Sequence, residues 1–511
     1  MYMLRLRPHI RNGRFRARPL LSQPALHRAL PLLVTLCVVL SLLSLSSCAT
    51  PQGWCPLRSK SKPPGVLLEP DGPGAYEWDT QSAFDPVRQY GAAVKTPAQL
   101  CAAFPTHLLN DIQPVLKTGH ALVQARLRTH LRTISACLTN LLIFSDSAET
   151  FEGHDIIDVI ADLPEHLTRK AKALKAWRNG ALAADTATEP EGWGADKFKF
   201  LPELTRAWRM RPDMKWYVFF EDDTYVAWDN VFRFLGHFDP DQLLYFGSPT
   251  AGNEGTWWAN GGPGFILSRG AMRKFLDVDV DPDFGLRRTE EHWAVLNEDC
   301  CGDSTLGWAL WWSNITIRGV HPMFHSQFAH EVTYKEGYWC QPVMSMHSHG
   351  QMTEMADLWT WEWENRELDH PLLYRDLAVS YYDFANLKPR MHWNNAERDS
   401  FRAPNKVNAA GRSAHASADD CQQACEAHDN CFQWTYHLRA CRFVRSMHYG
   451  HREEPGFTDF DRTQGWFYTW GWSDADRHFH AGWNTAKIRQ WIANHPCDKA
   501  RWVKPSTRRV Y

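Results

Sequence analysis

At 511 residues the chain has room for two or three domains of ordinary size, which excludes a single small module. Its 56 Lys and Arg against 58 Asp and Glu leave a formal charge of −2, so attraction of the whole molecule to nucleic acid is excluded as its main business. With 44% hydrophobic and 22% charged residues the composition is that of a folded chain and not of a disordered one.

Residues 1–28 carry seven arginines and no acid, and Ala29 to Ala49 then run without a charge. That run is long enough to cross a bilayer core of about 30 Å, and the arginines keep its N-terminal side cytoplasmic. The expectation is a cytoplasmic tail (1–28) and a single transmembrane signal anchor (29–49), with the bulk of the protein lumenal. A cleaved signal peptide is the alternative, given the small residues Ser46, Ser47 and Ala49. Leu45-Ser46-Ser47-Cys48 also has the look of a lipoprotein cleavage site. Residues 50–104 read as a stem, because Pro51 to Gly74 are too rich in Pro and Gly to bury a core. Asn314-Ile315-Thr316 is a glycosylation sequon, meaningful if that segment is lumenal.

From residue 105 to 385 the pattern is α/β. Ile112 to Lys117 and Leu141 to Phe144 are short apolar runs that predict buried parallel strands, with helical spacing between them from Ala125 to Cys137. Ser145-Asp146 follow the second strand, at the end where open α/β sheets bind ligands, so Asp146 is a candidate contact for a base or ribose or else a helix cap. Asp196 to Met210 predict an amphipathic helix, and Lys215 to Phe220 a strand that runs straight into Glu221-Asp222-Asp223. Three acids at the end of a buried strand repel one another unless a cation sits among them. Trp257-Trp258 precede the turn Asn260-Gly261-Gly262-Pro263-Gly264, a strand follows, and Ser268 is a good N-cap. Asp303 stands just before the apolar helix Trp308 to Trp312, where a plain N-cap is the bland alternative. Val343 to His349 alternate as a strand does and end in imidazoles, which makes His347 a candidate metal ligand.

In this order, the acidic triplet before Thr-Tyr-Val, the Gly-Gly-Pro-Gly turn, the Asp303 helix start and the terminal histidine resemble the inverting glycosyltransferase family that holds Fringe and the core 1 β1,3-galactosyltransferase. Lys-Phe-Lys-Phe-Leu-Pro and Cys-Cys-Gly-Asp are similar to its fungal members, and the likeness covers about Asp111 to Trp363. It implies a GT-A-like Rossmann-type nucleotide-sugar transferase domain in a Golgi or ER type II membrane protein. It further implies Mn²⁺ (or Mg²⁺) held by Asp223 and His347, with His349 one step away as the other choice. Asp303 would be the catalytic base. The UDP-sugar would be bound by Lys117, Thr118, Gly119, Ser145, Asp146, Lys197, Glu221, Asp222, Gly261 and Gly262. Glu221 stands where many members have Asp. Trp257 and Trp258 offer stacking for a glycan or glycoprotein acceptor, or simply core packing. The implied reaction moves a hexose or N-acetylhexosamine to a glycan hydroxyl, commonly in a β1,3 linkage. A catalytically inactive carbohydrate- or nucleotide-binding relative is the alternative, and a metal-dependent hydrolase a third.

Composition shifts again near the C-terminus. Residues 386–416 are polar and read as a linker. Ser417 and then Cys421, Cys425, Cys431 and Cys441 resemble a PAN/apple-like module spanning 417–511 with its tail. In a lumenal protein four such cysteines make two disulfides, in any of three connectivities, with zinc as the alternative. The Trp-rich tail from Trp466 to Cys497 is expected to fold back on the body.

Overall fold

The computed structural model describes residues 74–78, 96, 99, 101–102, 104–180, 189–252, 255–280, 285–366, 368–407, 409–463 and 471–508. The N-terminal tail, the apolar run 29–49 and most of the expected stem lie outside them. Among the described residues no helix is long and apolar enough to cross a membrane.

Thirteen strands build the first part of the chain. They are Ile112–Lys117 (β1), Leu142–Ser145 (β2), Glu149–Phe151 (β3), His154–Asp158 (β4), Trp216–Glu221 (β5) and Thr224–Val226 (β6). Tyr245–Gly247 (β7), Pro249–Ala251 (β8), Trp257–Ala259 (β9), Phe265–Ser268 (β10), Arg318–Gly319 (β11), Phe324–His325 (β12) and Ser345–His347 (β13) follow. Eight of them form one mixed sheet in the order β11-β7-β10-β5-β1-β2-β4-β3. Its centre, β5-β1-β2-β4, is parallel, and β10 runs antiparallel between β5 and β7. The apolar run of β5 serves both faces of this sheet. Trp216, Val218 and Phe220 belong to one buried cluster and Tyr217 and Phe219 to the other, as the two-residue period of a strand requires. The helix Phe200–Met210 covers one face through Leu201, Leu204, Ala207 and Trp208. Ser268 caps the helix Arg269–Leu276 by accepting from the Ala271 N–H.

The C-terminal part is a five-stranded antiparallel sheet, Arg390–Met391 (β14), Trp393–Asn394 (β15, in a separate pair), Ser400–Arg402 (β16), Gln433–His437 (β17), Ala440–Val444 (β18), His451–Arg452 (β19, paired with β15) and His480–Trp483 (β20). The order is β14-β20-β17-β18-β16. The stretch 386–416 is therefore not a linker. It supplies both edge strands, and edge strands are short and polar on the side that faces water, which is why composition reads them as loop. Cys421–Cys441 and Cys425–Cys431 close nested disulfides over this sheet, and Cys340–Cys497 ties its tail to the first part. Trp502 and Val503 join the same buried cluster as β5, so the described end of the chain folds back on the body.

Candidate functional site

The acidic turn is placed by strand register. β5 ends at Glu221, and β6 begins at once because the Glu221 N–H donates to Thr224 Oγ1 at 3.0 Å. β6 pairs antiparallel with β13, with Thr224 opposite His347. That pairing brings His347 Nε2 to 3.3 Å from Asp223 Oδ1. Ligand-capable atoms of Glu221, Asp223 and His347 lie within 4.8 Å of one another. Asp223 Oδ1 is buried and accepts no hydrogen bond. A buried carboxylate oxygen left open beside an imidazole nitrogen is what a divalent cation would complete, so these residues fit one. Arg126 closes the other side, donating to Asp223 Oδ2 at 2.9 Å. Burial alone would raise the Asp223 carboxyl; His347 and Arg126 more than offset it, and the net shift is downward. His347 responds in kind. Burial works to lower its pKa, but the adjoining Asp223 carboxylate carries it above the ordinary imidazole value. Asp222 is pushed up to about 7 by burial and by the Asp223 charge.

Gly261 and Gly262 are required by close approach. A Cβ at Gly262 would lie 2.3 Å from His347 Nδ1, and one at Gly261 would lie 3.2 Å from both Glu221 Oε1 and Asp303 Oδ2. Asp303 sits in the first turn of the helix Gly302–Trp312, with Cys301 and not Asp303 at the N-cap. Its Oδ2 accepts from the Gly261 N–H and its Oδ1 from the Ser304 N–H, each at 2.8 Å. Burial, helped by the Glu221 charge, pushes its carboxyl up to about 7 despite those bonds.

Part of this set lines a cavity of about 250 Å³, with Asp223 and His347 outside its lining and joined to it through Glu221, Asp222 and Gly262. Lys117, Thr118, Gly119, Lys197, Glu221, Asp222, Gly261, Gly262 and Asp303 all line it. Lys117 Nζ reaches Asp196 Oδ2 at 2.5 Å and Glu221 Oε1 at 3.0 Å. Burial opposes its charge, but those acids hold its pKa above the usual range. Ser145, Asp146, Trp257, Trp258 and His349 are not among the residues that line the cavity. Ser145 and Asp146 are buried behind it, and Asp146 is spent accepting from the His120 N–H and from Lys199 Nζ, both at 3.0 Å. Lys197 Nζ donates to the carbonyls of Asn297 and Asp299 at 2.9 and 2.6 Å. Trp258 packs its Cβ over Gly307, and Trp257 lies against the core. His349 Nε2 is 3.0 Å from the Ser326 carbonyl. Asn314 is exposed at the end of its helix.

Arg126, Lys199, Asp196 and Trp193 were not singled out as site residues, or only faintly. Arg126 follows β1 on the segment that opens towards the strand ends, a position where a basic residue is a usable signal. Lys199 lies in the run 197–199 but is buried against Thr118 O at 2.7 Å, which only the fold reveals.

A cavity outside the carboxyl ends of parallel strands, walled by Lys117, Glu221, Asp222 and the buried Asp303, lies where α/β sheets bind ligands. Residues 109–359 match the model of the Fringe-like family, so the chain carries a Fringe-like domain over that segment. Over 65 residues it is also 34% identical to glycoprotein-N-acetylgalactosamine 3-beta-galactosyltransferase 1 of Xenopus laevis. That match covers 13% of this chain and 18% of the relative's own length.

Proposed function

We propose that the protein is a metal-dependent inverting glycosyltransferase that moves a hexose or N-acetylhexosamine from a UDP-sugar to a glycan hydroxyl, with a β1,3 link as the first expectation. The observation that carries this is the convergence of Asp303 with Glu221, Asp223 and His347 around Gly261 and Gly262, inside a Fringe-like domain. Asp223, His347 and Glu221 would hold Mn²⁺ or Mg²⁺. Such a cation supplies charge neutralisation for a diphosphate leaving group. Lys117 and Thr118, at the end of β1, face the same cavity and are placed to meet ribose or phosphate oxygens.

Asp303 is the base. An acceptor hydroxyl brought to its carboxylate loses its proton as its oxygen bonds to the sugar's anomeric carbon. The Gly261 and Ser304 N–H groups hold both carboxylate oxygens, which fixes the direction of approach. Attack from the side opposite the leaving diphosphate inverts the anomeric configuration. Burial keeps the carboxyl near pH 7, suited to a group that takes up a proton at neutral pH. A Golgi or ER lumenal setting, an N-terminal anchor, a glycan at Asn314 and a PAN/apple-like C-terminal module complete this reading.

The test is UDP release by the full-length chain from UDP-Gal, UDP-GlcNAc, UDP-GalNAc and UDP-Glc, with Mn²⁺ and a glycan panel. UDP-Gal comes first, because the relative's name is that of a galactosyltransferase. Acceptor-dependent release establishes transfer. Release without an acceptor product points to hydrolysis, and tight UDP binding without release to an inactive binding protein.

A further inference from the structure

Two apolar groups on the cavity wall have no part in the chemistry described so far. Cys300 and Cys301, adjacent in the chain, are joined by a disulfide, and both line the cavity just before Asp303. Trp193 lines the same cavity and is 70% exposed, although an indole gains by burial. Both belong to the wall of the same cavity. Trp193 lies one turn before Lys197, and Lys197 donates to the carbonyls of Asn297 and Asp299. Gly302 is so near that a Cβ there would come within 2.7 Å of the Lys197 carbonyl. Trp193, the disulfide and Asp303 thus share the wall of one cavity.

The chemistry of the wall divides accordingly. Lys117, Asp196, Glu221 and Asp222 make one side charged. The disulfide has no thiol hydrogen to donate and shows its two sulfurs as an apolar, polarizable surface. Ligand-capable atoms of Asp299, Cys300 and Cys301 lie within 4.8 Å of one another, but disulfide sulfurs are not thiolates and bind no metal in that role. An acceptor must bring a hydroxyl to Asp303, so whatever stands beside Asp303 meets the ring that bears this hydroxyl. An indole and an apolar disulfide suit the C–H face of a pyranose.

We propose that Trp193 and the Cys300–Cys301 disulfide form the acceptor subsite, taking the apolar face of a pyranose ring while Asp303 meets its hydroxyl; this rests on the transferase reading above. Contacts other than the disulfide also brace the segment. Asp299 accepts from the Cys301 N–H at 3.3 Å and from Ser304 Oγ at 2.9 Å, and Lys197 holds it from outside. Removing the sulfurs therefore tests a contact more than a fold, and Trp193, exposed as it is, can be replaced without opening the core.

The experiment compares the full-length chain with Trp193→Ala, Trp193→Phe and the double variant Cys300→Ala/Cys301→Ala, all loaded with UDP and Mn²⁺. Saturation-transfer NMR reads binding of a panel of methyl glycosides, which carry no aromatic aglycone, and calorimetry reads UDP affinity. The expected result is that Trp193→Ala weakens glycoside binding about tenfold, that Trp193→Phe restores most of it, and that UDP affinity stays unchanged in every variant. The double variant loses glycoside binding in the same direction. Glycoside binding equal to wild type in Trp193→Ala overturns the proposal. So does a loss of UDP affinity, which would give the indole to the nucleotide base, or a wild-type chain that binds no glycoside. Turnover is read separately. A wild type that binds glycosides through Trp193 but transfers nothing refutes the transferase reading and leaves the subsite standing as a binding site.

Discussion

Gly262→Ala is the sharpest test of the cation site, because it removes no charged or hydrogen-bonding group and acts by displacing His347. A Cβ at this position would stand 2.3 Å from His347 Nδ1 and 2.6 Å from its Cγ and Cε1. Ordinary contact begins near 3.4 Å, so the imidazole has to retreat by about 1 Å, while metal–ligand distances tolerate only about 0.2 Å. The Gly262 carbonyl accepts from Thr224 Oγ1 at 2.6 Å and its N–H donates to Asn260 Oδ1 at 3.1 Å, so the backbone is pinned and the ring is what moves. Misplacing a working group by 1 Å costs on the order of a hundredfold, and that is the expected loss in Mn²⁺-dependent UDP affinity by calorimetry. His347→Ala should cost as much. The pair should be no worse than either alone, since both remove one interaction. UDP affinity measured without any divalent ion should not change. A Gly262→Ala protein that melts normally and binds UDP with Mn²⁺ as wild type does would refute the placement of His347 in the cation site.

Asp303→Asn should abolish transfer and leave UDP–Mn²⁺ affinity intact, measured on the same protein; near-normal turnover would remove Asp303 from the role of base. Asp223→Asn should do the reverse, weakening metal-dependent UDP binding first. The pH profile of kcat/KM at saturating Mn²⁺ carries a sign. Asp303 accepts a proton only when ionised, and its carboxyl is pushed up to about 7, so activity should fall about tenfold per unit as pH drops below 7. A plateau reaching the ordinary carboxylate range would show that Asp303 is not the group that titrates. Cys340→Ala/Cys497→Ala removes a cross-link between residues 157 positions apart and should cost about 2–5 kcal/mol, read as a lower midpoint in denaturant; an unchanged midpoint would mean that the two parts of the chain unfold independently.

What the sequence discloses depends on how local the signal is. The strand Trp216–Glu221 and the helix Phe200–Met210 were legible because apolar periodicity is a property of a few adjacent residues. Asp223 and His347 were legible as types, but their meeting is a matter of register between β6 and β13, which no local pattern encodes. The same limit explains the residues that were misjudged. Asp146 looked like a strand-end ligand contact, yet a buried lysine 53 positions later claims its carboxylate. Lys197, expected at the donor, lines the cavity, and its ammonium is held by two carbonyls about 100 residues on. A buried or half-buried charge must be paired, so in a site this rich in charge the identity of each partner decides which groups remain for a ligand.

Applied to the whole cavity, that accounting favours a cation at one point. Lys117 is matched by Asp196 and Glu221, and Lys199 by Asp146 and Asp196. Arg126 is matched by Asp223, through Oδ2. Thr118 donates to Asp222. Asp223 Oδ1 is buried without a hydrogen bond, and it faces the imidazole of His347 at 3.3 Å with Glu221 within reach. A buried carboxylate oxygen that faces an imidazole without a hydrogen bond is incompletely satisfied, and that costs stability. A ligand that brings positive charge to that oxygen offsets the cost, which ties the local strain of the acidic turn to the chemistry proposed for it.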